Sequence, residues 1–177
     1  MRSELEVALF LKKLQTRWLY HGLTPPSPFR SVDTLKIAKR KFGMDSNRLN
    51  DIGDYLGVGE KYKHEGFSMW EKCLAGDREA FDEMMRYNDE DVRLLERVYL
   101  KMRAWDHLHP NLGVYTDNAK VVCPKCGSND LTLTSSTTKT NTGEYSTYRC
   151  NSCGGWARVR ASLKTREQKE KIVVNAK

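Results

Sequence analysis

Two short cysteine pairs constrain the fold of this chain more than any other feature. Cys123-Pro-Lys-Cys126 and Cys150-Asn-Ser-Cys153 are separated by 23 residues. Zinc takes four tetrahedral thiolate ligands at about 2.3 Å each, and a C-x-x-C turn presents two thiolates to one ion. Two disulfides are the competing interpretation, and the reducing compartment expected below disfavours them. The pattern therefore predicts a structural zinc site whose coordination is complete.

The residues around these pairs favour short β-strands. The stretch 121–160 is rich in Thr, Ser, Tyr and Val, and Asn141-Thr142-Gly143 is the predicted turn between two strands. This module resembles a zinc ribbon, a small β-structured element of many nucleic-acid machines. The resemblance implies that the metal supplies most of the folding free energy, because so little core surrounds it.

Positive charge is concentrated in the same part of the chain. Residues 121–177 contain 10 Lys and Arg against 4 Asp and Glu, whereas residues 1–120 contain 20 against 19. A localised basic region is typical of a protein with a polyanionic partner, most commonly nucleic acid. The alternative is a basic tail that serves solubility alone.

Aromatic and cationic side chains alternate around the second cysteine pair, which suits base stacking combined with phosphate contact. Trp156 has an equally good alternative place in the small core of the module. The candidate nucleic-acid contacts are Tyr148, Arg149, Trp156, Arg158 and Arg160, with Tyr145 beside them.

Residues 1–108 predict a mainly helical block, followed by a linker over 109–120, the zinc module over 121–160 and a basic tail over 161–177. Three polar residues are predicted helix N-caps. They are Asp33 for a helix to Phe42, Ser46 for a helix whose apolar face is Leu49, Ile52, Tyr55 and Leu56, and Asp77 for a helix from Arg78 to Trp105.

The long predicted helix carries one apolar stripe at about 100° per residue, and Tyr87 and Asp91 form a ridge at its border. Asp89 and Glu90 fall on the solvated side. The stripe consists of Phe81, Met84, Met85, Val92, Leu95, Tyr99 and Met102.

Tyr87-Asn-Asp-Glu-Asp91 has the spacing Y-x-x-x-D on a late helix, after a proline turn and an Asp-Thr-Leu segment that begins at Asp33. In this order the segments of residues 10–105 resemble DEDD 3′–5′ exonucleases of the tyrosine subclass, of phage and bacterial type. The resemblance implies a ribonuclease-H-like α/β domain, incomplete here. It also implies that Asp91 ligates Mg²⁺ or Mn²⁺ and that Tyr87 positions the attacking water at a two-metal centre.

The other acids of that family pattern are absent. The strand motif Asp-x-Glu has its nearest match in Glu4-Leu5-Glu6, which falls inside a predicted helix, and Phe10 is followed by Leu11 instead of an acid. Three of the four metal-binding carboxylates are therefore missing. One Asp does not hold two Mg²⁺ ions in competition with water.

Three functions stay open on these grounds. The first is the C-terminal part of a split or late-start nuclease, which needs a partner polypeptide or a second copy of the chain to hydrolyse phosphodiesters. The second is a non-catalytic zinc-ribbon module that binds nucleic acid or a polymerase, and the third is a structural subunit anchored by its basic tail. DNA is expected as partner ahead of RNA.

No run of about 18 apolar residues exists, so no membrane partner is expected. The N-terminal residues carry acids early and do not resemble a signal peptide. A cytoplasmic location, in a bacterium or a phage-infected host, is therefore expected.

Overall fold

The long helix α5, Arg78–Met102, is the packing centre of the first of two compact units, residues 1–102 and 103–177. The structure is a computed structural model that describes residues 4–60, 62, 66–116 and 120–174, without the side chains of residues 4–10. The helices that precede α5 are α1 (Glu4–Tyr20), α2 (Thr34–Lys41), α3 (Leu49–Tyr55) and α4 (Phe67–Leu74). Of these, α2, α3 and α4 each pack against α5.

Two of the three predicted caps are confirmed. The carboxylate of Asp33 accepts a hydrogen bond from the amide of Lys36 at 3.2 Å, at the start of α2. Asp77 accepts from the amide of Glu79 at 2.9 Å and from that of Ala80 at 3.3 Å. Both side chains satisfy amides that the first helical turn leaves without an intrahelical partner.

The predicted cap at Ser46 is wrong. Helix α3 begins two residues later than such a cap requires, with Arg48 as N-cap and no side-chain capping bond. The Ser46 hydroxyl accepts from the amide of Arg48 at 3.3 Å and donates to the carboxylate of Asp51. Ser46 therefore stabilises the turn before the helix instead of its first amides.

The predicted place of Tyr55 in the apolar face of α3 is also wrong, because its side chain is 78% exposed. Helices α3 and α5 approach closely at Gly53, where an added Cβ would lie 2.8 Å from Leu94 Cδ1. This close approach buries Ile52 and Gly53 and directs Tyr55, two residues farther along, to the opposite side.

The buried face of α5 differs from the predicted stripe. Four of its predicted members are well exposed: Phe81 44%, Met85 63%, Val92 58% and Leu95 40%. Met102 is buried as predicted, but the other α5 residues of this core are Leu94 and Val98, which lie outside the stripe. They pack with Ile37, Ala38 and Ile52 of α2 and α3. Tyr87 and Asp91 lie half-buried on the same ridge as Leu94. The ridge predicted to border the stripe is therefore the side that packs, because α2 and α3 dock there.

The second unit contains a three-stranded antiparallel sheet in the order β1-β2-β3. The predicted turn at Asn141-Thr142 is confirmed. The pairing register between β1 and β2 shifts between Leu133 and Thr137. The buried hydroxyl of Thr147 stabilises β1 at this shift by donating to the carbonyl of Ser136 at 2.8 Å. The strands are β1 (Leu131–Thr140), β2 (Gly143–Cys150) and β3 (Trp156–Arg158), and helix α6 (Arg166–Glu170) follows them.

This unit begins at Arg103, well before the module predicted over 121–160. The Lys125 ammonium donates to the carbonyl of Ala104, and the amide of Leu112 donates to the carbonyl of Pro124 at 2.8 Å. The segment after α5 is thus hydrogen-bonded to the first cysteine pair. The architecture as a whole is mixed, with a helical first unit and a small sheet in the second.

Among the helices of the described residues, none combines the length and the apolar character that crossing a bilayer requires.

Candidate metal centre and cationic sheet face

The four cysteines predicted as metal ligands lie together. The Sγ atoms of Cys123, Cys126, Cys150 and Cys153 are all within 4.8 Å of one another. Two of the separations are 3.7 Å, between Cys123 and Cys153, and 3.5 Å, between Cys126 and Cys150. Sulfur ligands about 2.3 Å from a tetrahedral ion lie about 3.8 Å from each other. The cluster could therefore hold a metal ion such as zinc.

The two cysteine turns have the same backbone geometry. The amide of Gly127 donates to the carbonyl of Cys123 at 2.9 Å, and the amide of Gly154 donates to that of Cys150 at 2.9 Å. Both glycines have a positive φ, +75° and +71°, a conformation that strains residues with a side chain. The repeated pattern C-x-x-C-G is thus the local sequence requirement of the site, and the glycines were not singled out from the sequence.

The thiols of this cluster do not ionise independently. Burial raises the pKa of the Cys126 thiol to about 12. Burial also opposes ionisation of Cys150, but the backbone amide of Cys153 and the neighbouring thiols outweigh it and lower the pKa of Cys150 to about 7. Four thiolates at these separations require a cation between them, since like charges repel strongly in a partly buried site.

Three of the predicted nucleic-acid contacts share one face of the sheet. In the antiparallel register Arg149 is paired with Trp156, and Thr147 is paired with Arg158. The Arg149 guanidinium lies 5.7 Å from the centre of the Trp156 ring, and that of Arg158 lies 4.2 Å from the ring of Tyr145. These cation–π contacts restrict both guanidinium groups, that of Arg149 beside the exposed Trp156 and that of Arg158 beside the half-buried Tyr145. We call Tyr145, Arg149, Trp156 and Arg158 the cationic face.

The other two predicted contacts lie elsewhere. Tyr148 is half-buried on the opposite face of the sheet, paired with Leu133 and Ala157. Arg160 is exposed and follows the end of β3. The alternation of side chains along β2 is the reason that Tyr148 and Arg149 cannot share a face.

A groove of about 400 Å³ runs beside the cationic face. Its lining includes Trp156 and Arg158 of the face, Lys125 of the first cysteine turn, and Asp106, His107 and His109 of the preceding segment. Sequence reasoning did not single out Lys125 or either histidine. The signal available was the closeness of His107-Leu-His109 to a basic module, which is too general to identify a site.

Tyr87 and Asp91 lie together on the packed side of α5, as their spacing of four predicts. Tyr87 packs against the small core of Met69, Cys73 and Ala80. Asp89 is instead exposed and paired with Arg93 at 3.1 Å, a hydrogen bond that raises the pKa of Arg93.

Within the described residues, the four cysteines are the one group close enough to hold a metal ion, and no such group includes Asp91. A two-metal carboxylate centre therefore does not fit the described part of this chain taken alone.

No family model matches the chain, and no curated protein or solved structure is significantly similar to it.

Proposed function

We propose that this protein binds nucleic acid through the cationic face of a zinc ribbon. The observation that carries the proposal is the placement of Arg149 and Arg158 beside Trp156 and Tyr145 on one sheet face. Guanidinium groups neutralise phosphates, and aromatic rings accept bases of any sequence by stacking. The net charge of +6 in residues 121–177 supports the same partner.

The metal of this proposal is zinc. Four thiolates with no further ligand match the coordination of structural zinc sites, and soft sulfur ligands disfavour Mg²⁺ and Ca²⁺. In this role the ion holds the two cysteine turns together and takes no part in chemistry. Elemental analysis of the purified chain is expected to find one zinc per molecule.

Charge reversal on the cationic face tests the binding proposal. Arg149→Glu combined with Arg158→Glu is expected to abolish the mobility shift of labelled DNA and RNA oligonucleotides at low salt. The matched control is Lys12→Glu with Lys13→Glu, which changes the net charge equally on exposed residues of α1. Equal loss of binding in both variants would show that the net charge matters and the sheet face does not.

A second candidate function is metal-dependent hydrolysis by a DEDD-type exonuclease that is completed by a partner polypeptide or a second copy of this chain. The observation that favours it is the joint placement of Tyr87 and Asp91 on one half-buried ridge, next to the core of α5. The packing of Tyr87 against Met69 and Cys73 equally suits a structural role in a protein that has lost the chemistry.

Degradation of end-labelled single-stranded DNA and RNA with Mg²⁺ or Mn²⁺ separates these two functions. The chain alone is expected to degrade neither substrate. If degradation occurs, is lost in Asp91→Ala and persists in Asp89→Ala, the missing acids are supplied by a second copy. Degradation that survives Asp91→Ala would overturn both the site and the family assignment.

A further inference from the structure

We propose that the groove beside Trp156 receives an unstacked base of single-stranded nucleic acid. The inference rests on the proposed function, since it assigns strand type and a base site to a surface already proposed to bind nucleic acid. The groove of about 400 Å³ falls within the range of about 300–1,000 Å³ that small-ligand pockets occupy. That volume accommodates a planar base.

The Trp156 ring provides the stacking surface. Its side chain is 51% exposed, so it is not the core residue that the sequence allowed as an alternative. The ring lines the groove and also has the Arg149 guanidinium 5.7 Å from its centre. A base stacked on this ring would bring its phosphate within reach of a restrained cation, the combination that single-strand binders use.

The charge of the groove suits a polyanion. Arg158 lines it, and its guanidinium is held over Tyr145. The one acid in the lining, Asp106, is buried and accepts a hydrogen bond from the amide of Leu108 at 3.0 Å. Of the two lining histidines, His107 is exposed and has ring nitrogens suited to the hydrogen-bonding edge of a base. His109 is held in the wall of the groove, where its Nδ1 lies 2.6 Å from the carbonyl oxygen of Pro110.

A single strand fits this arrangement better than a duplex. Every base of a duplex is covered on both faces by its neighbours, and exposing one costs a few kcal/mol. A duplex would therefore contact Arg149 and Arg158 through its phosphates and leave the Trp156 ring unused. The stacking contribution of the groove is available to single strands at no such cost.

The walls of the groove are connected to the two cysteine turns. Lys125, which lies between two cysteine ligands, donates to the carbonyl of Ala104 and so holds the segment that carries the histidines. Trp156 follows Cys153 by three residues. Removal of the metal is therefore expected to dismantle the groove together with the site.

Fluorescence anisotropy of the zinc-loaded full chain tests the inference with three probes, a labelled oligodeoxythymidine, a labelled oligouridine and a labelled hairpin duplex. Single strands are expected to bind about tenfold more tightly than the duplex. Trp156→Ala is expected to weaken single-strand binding by about 5- to 150-fold, the range for loss of one stacked base, and to leave duplex binding unchanged. Trp70→Ala is the matched control, because Trp70 is 45% exposed in the other unit.

Zinc content is measured for each variant, and Trp156→Phe together with His107→Ala/His109→Ala supplies the test if Trp156→Ala loses zinc. A partial loss in Trp156→Phe and a selective loss of single-strand affinity in the histidine variant would support the inference. Variants that keep wild-type affinity for single strands would overturn it and leave the proposed nucleic-acid binding standing. Absence of binding to all three probes at low salt would overturn both.

Discussion

Adjacent leucines of α5 test which face of the helix is buried. Leu94→Ala removes a fully buried side chain from the core with Ile37 and Ile52, so it is expected to lower the free energy of unfolding by about 2–5 kcal/mol. Leu95→Ala changes a side chain that is 40% exposed and should cost less than half as much. Urea denaturation of the two variants measures both values. A larger loss for Leu95→Ala would contradict the observed packing and favour the stripe that sequence periodicity predicts.

The cysteines and the helix caps show which single residues could be predicted from the sequence. The four cysteines were predictable because their spacing is itself a coordination requirement. Asp33 and Asp77 were predictable because each cap satisfies amides within three residues of itself. Ser46 is also a residue type that caps helices, but its hydroxyl donates to Asp51, and cap statistics do not include such a competing acceptor.

The cysteine cluster has a matched control within the chain. Cys123→Ser removes one of four thiolates, and since structural zinc sites contribute about 10–16 kcal/mol, this loss is expected to weaken zinc binding by about 3 kcal/mol or more. The second unit should unfold, while the helical unit stays folded. Cys73→Ser alters a cysteine buried against Met69, outside the cluster, and should leave zinc binding unchanged. A zinc-release assay with circular dichroism distinguishes these results from equal zinc loss in both variants.

At the scale of elements, α5 shows why helical periodicity alone was insufficient. The helix carries two neighbouring apolar stripes, and each satisfies the spacing of about 100° per residue. Which stripe is buried depends on where α2 and α3 dock, and that contact depends on the small size of Gly53. The turn of the β1–β2 hairpin, by contrast, was predictable because Asn141-Thr142-Gly143 has local turn chemistry.

The β1–β2 hairpin offers a pH-dependent test of its cross-strand contacts. The Thr137 hydroxyl donates to Glu144 at 2.6 Å, and with the charges of Lys139 and Lys164 it lowers the pKa of the Glu144 carboxyl from its ordinary value. A lowered pKa means that this contribution is present at neutral pH and is lost as the pH falls through the folded-state value. Because the carboxylate is partly exposed and screened by solvent, the effect on stability should be small.

Carbon-detected NMR titration measures this group directly. The pKa of Glu144 is expected to be lower in the wild type than in Thr137→Val, which lacks the donor. Equal values in the two proteins would show that the contact between Thr137 and Glu144 does not persist in solution.

For the whole molecule, the sequence predicted a helical block before a β-structured metal module, and the two compact units have that order. It could not predict that the second unit begins at Arg103, because the hydrogen bond between Lys125 and Ala104 joins residues 21 positions apart. For the same reason it could not predict the groove, whose lining combines the segment after α5, the first cysteine turn and residues of all three strands. The excess of positive charge in residues 121–177 was visible at once, because charge needs no fold to be counted.

The salt dependence of binding tests the central claim most directly. We would measure the affinity for a labelled single strand over a series of salt concentrations, for the wild type, for Arg149→Ala/Arg158→Ala and for the control Lys12→Ala/Lys13→Ala. Each lost phosphate contact reduces the slope of log affinity against log salt by about 0.7 for single strands. The account predicts a slope reduced by about 1.4 in the arginine variant and an unchanged slope in the lysine variant. A flat response in the wild type, or equal slopes in all three proteins, would contradict it.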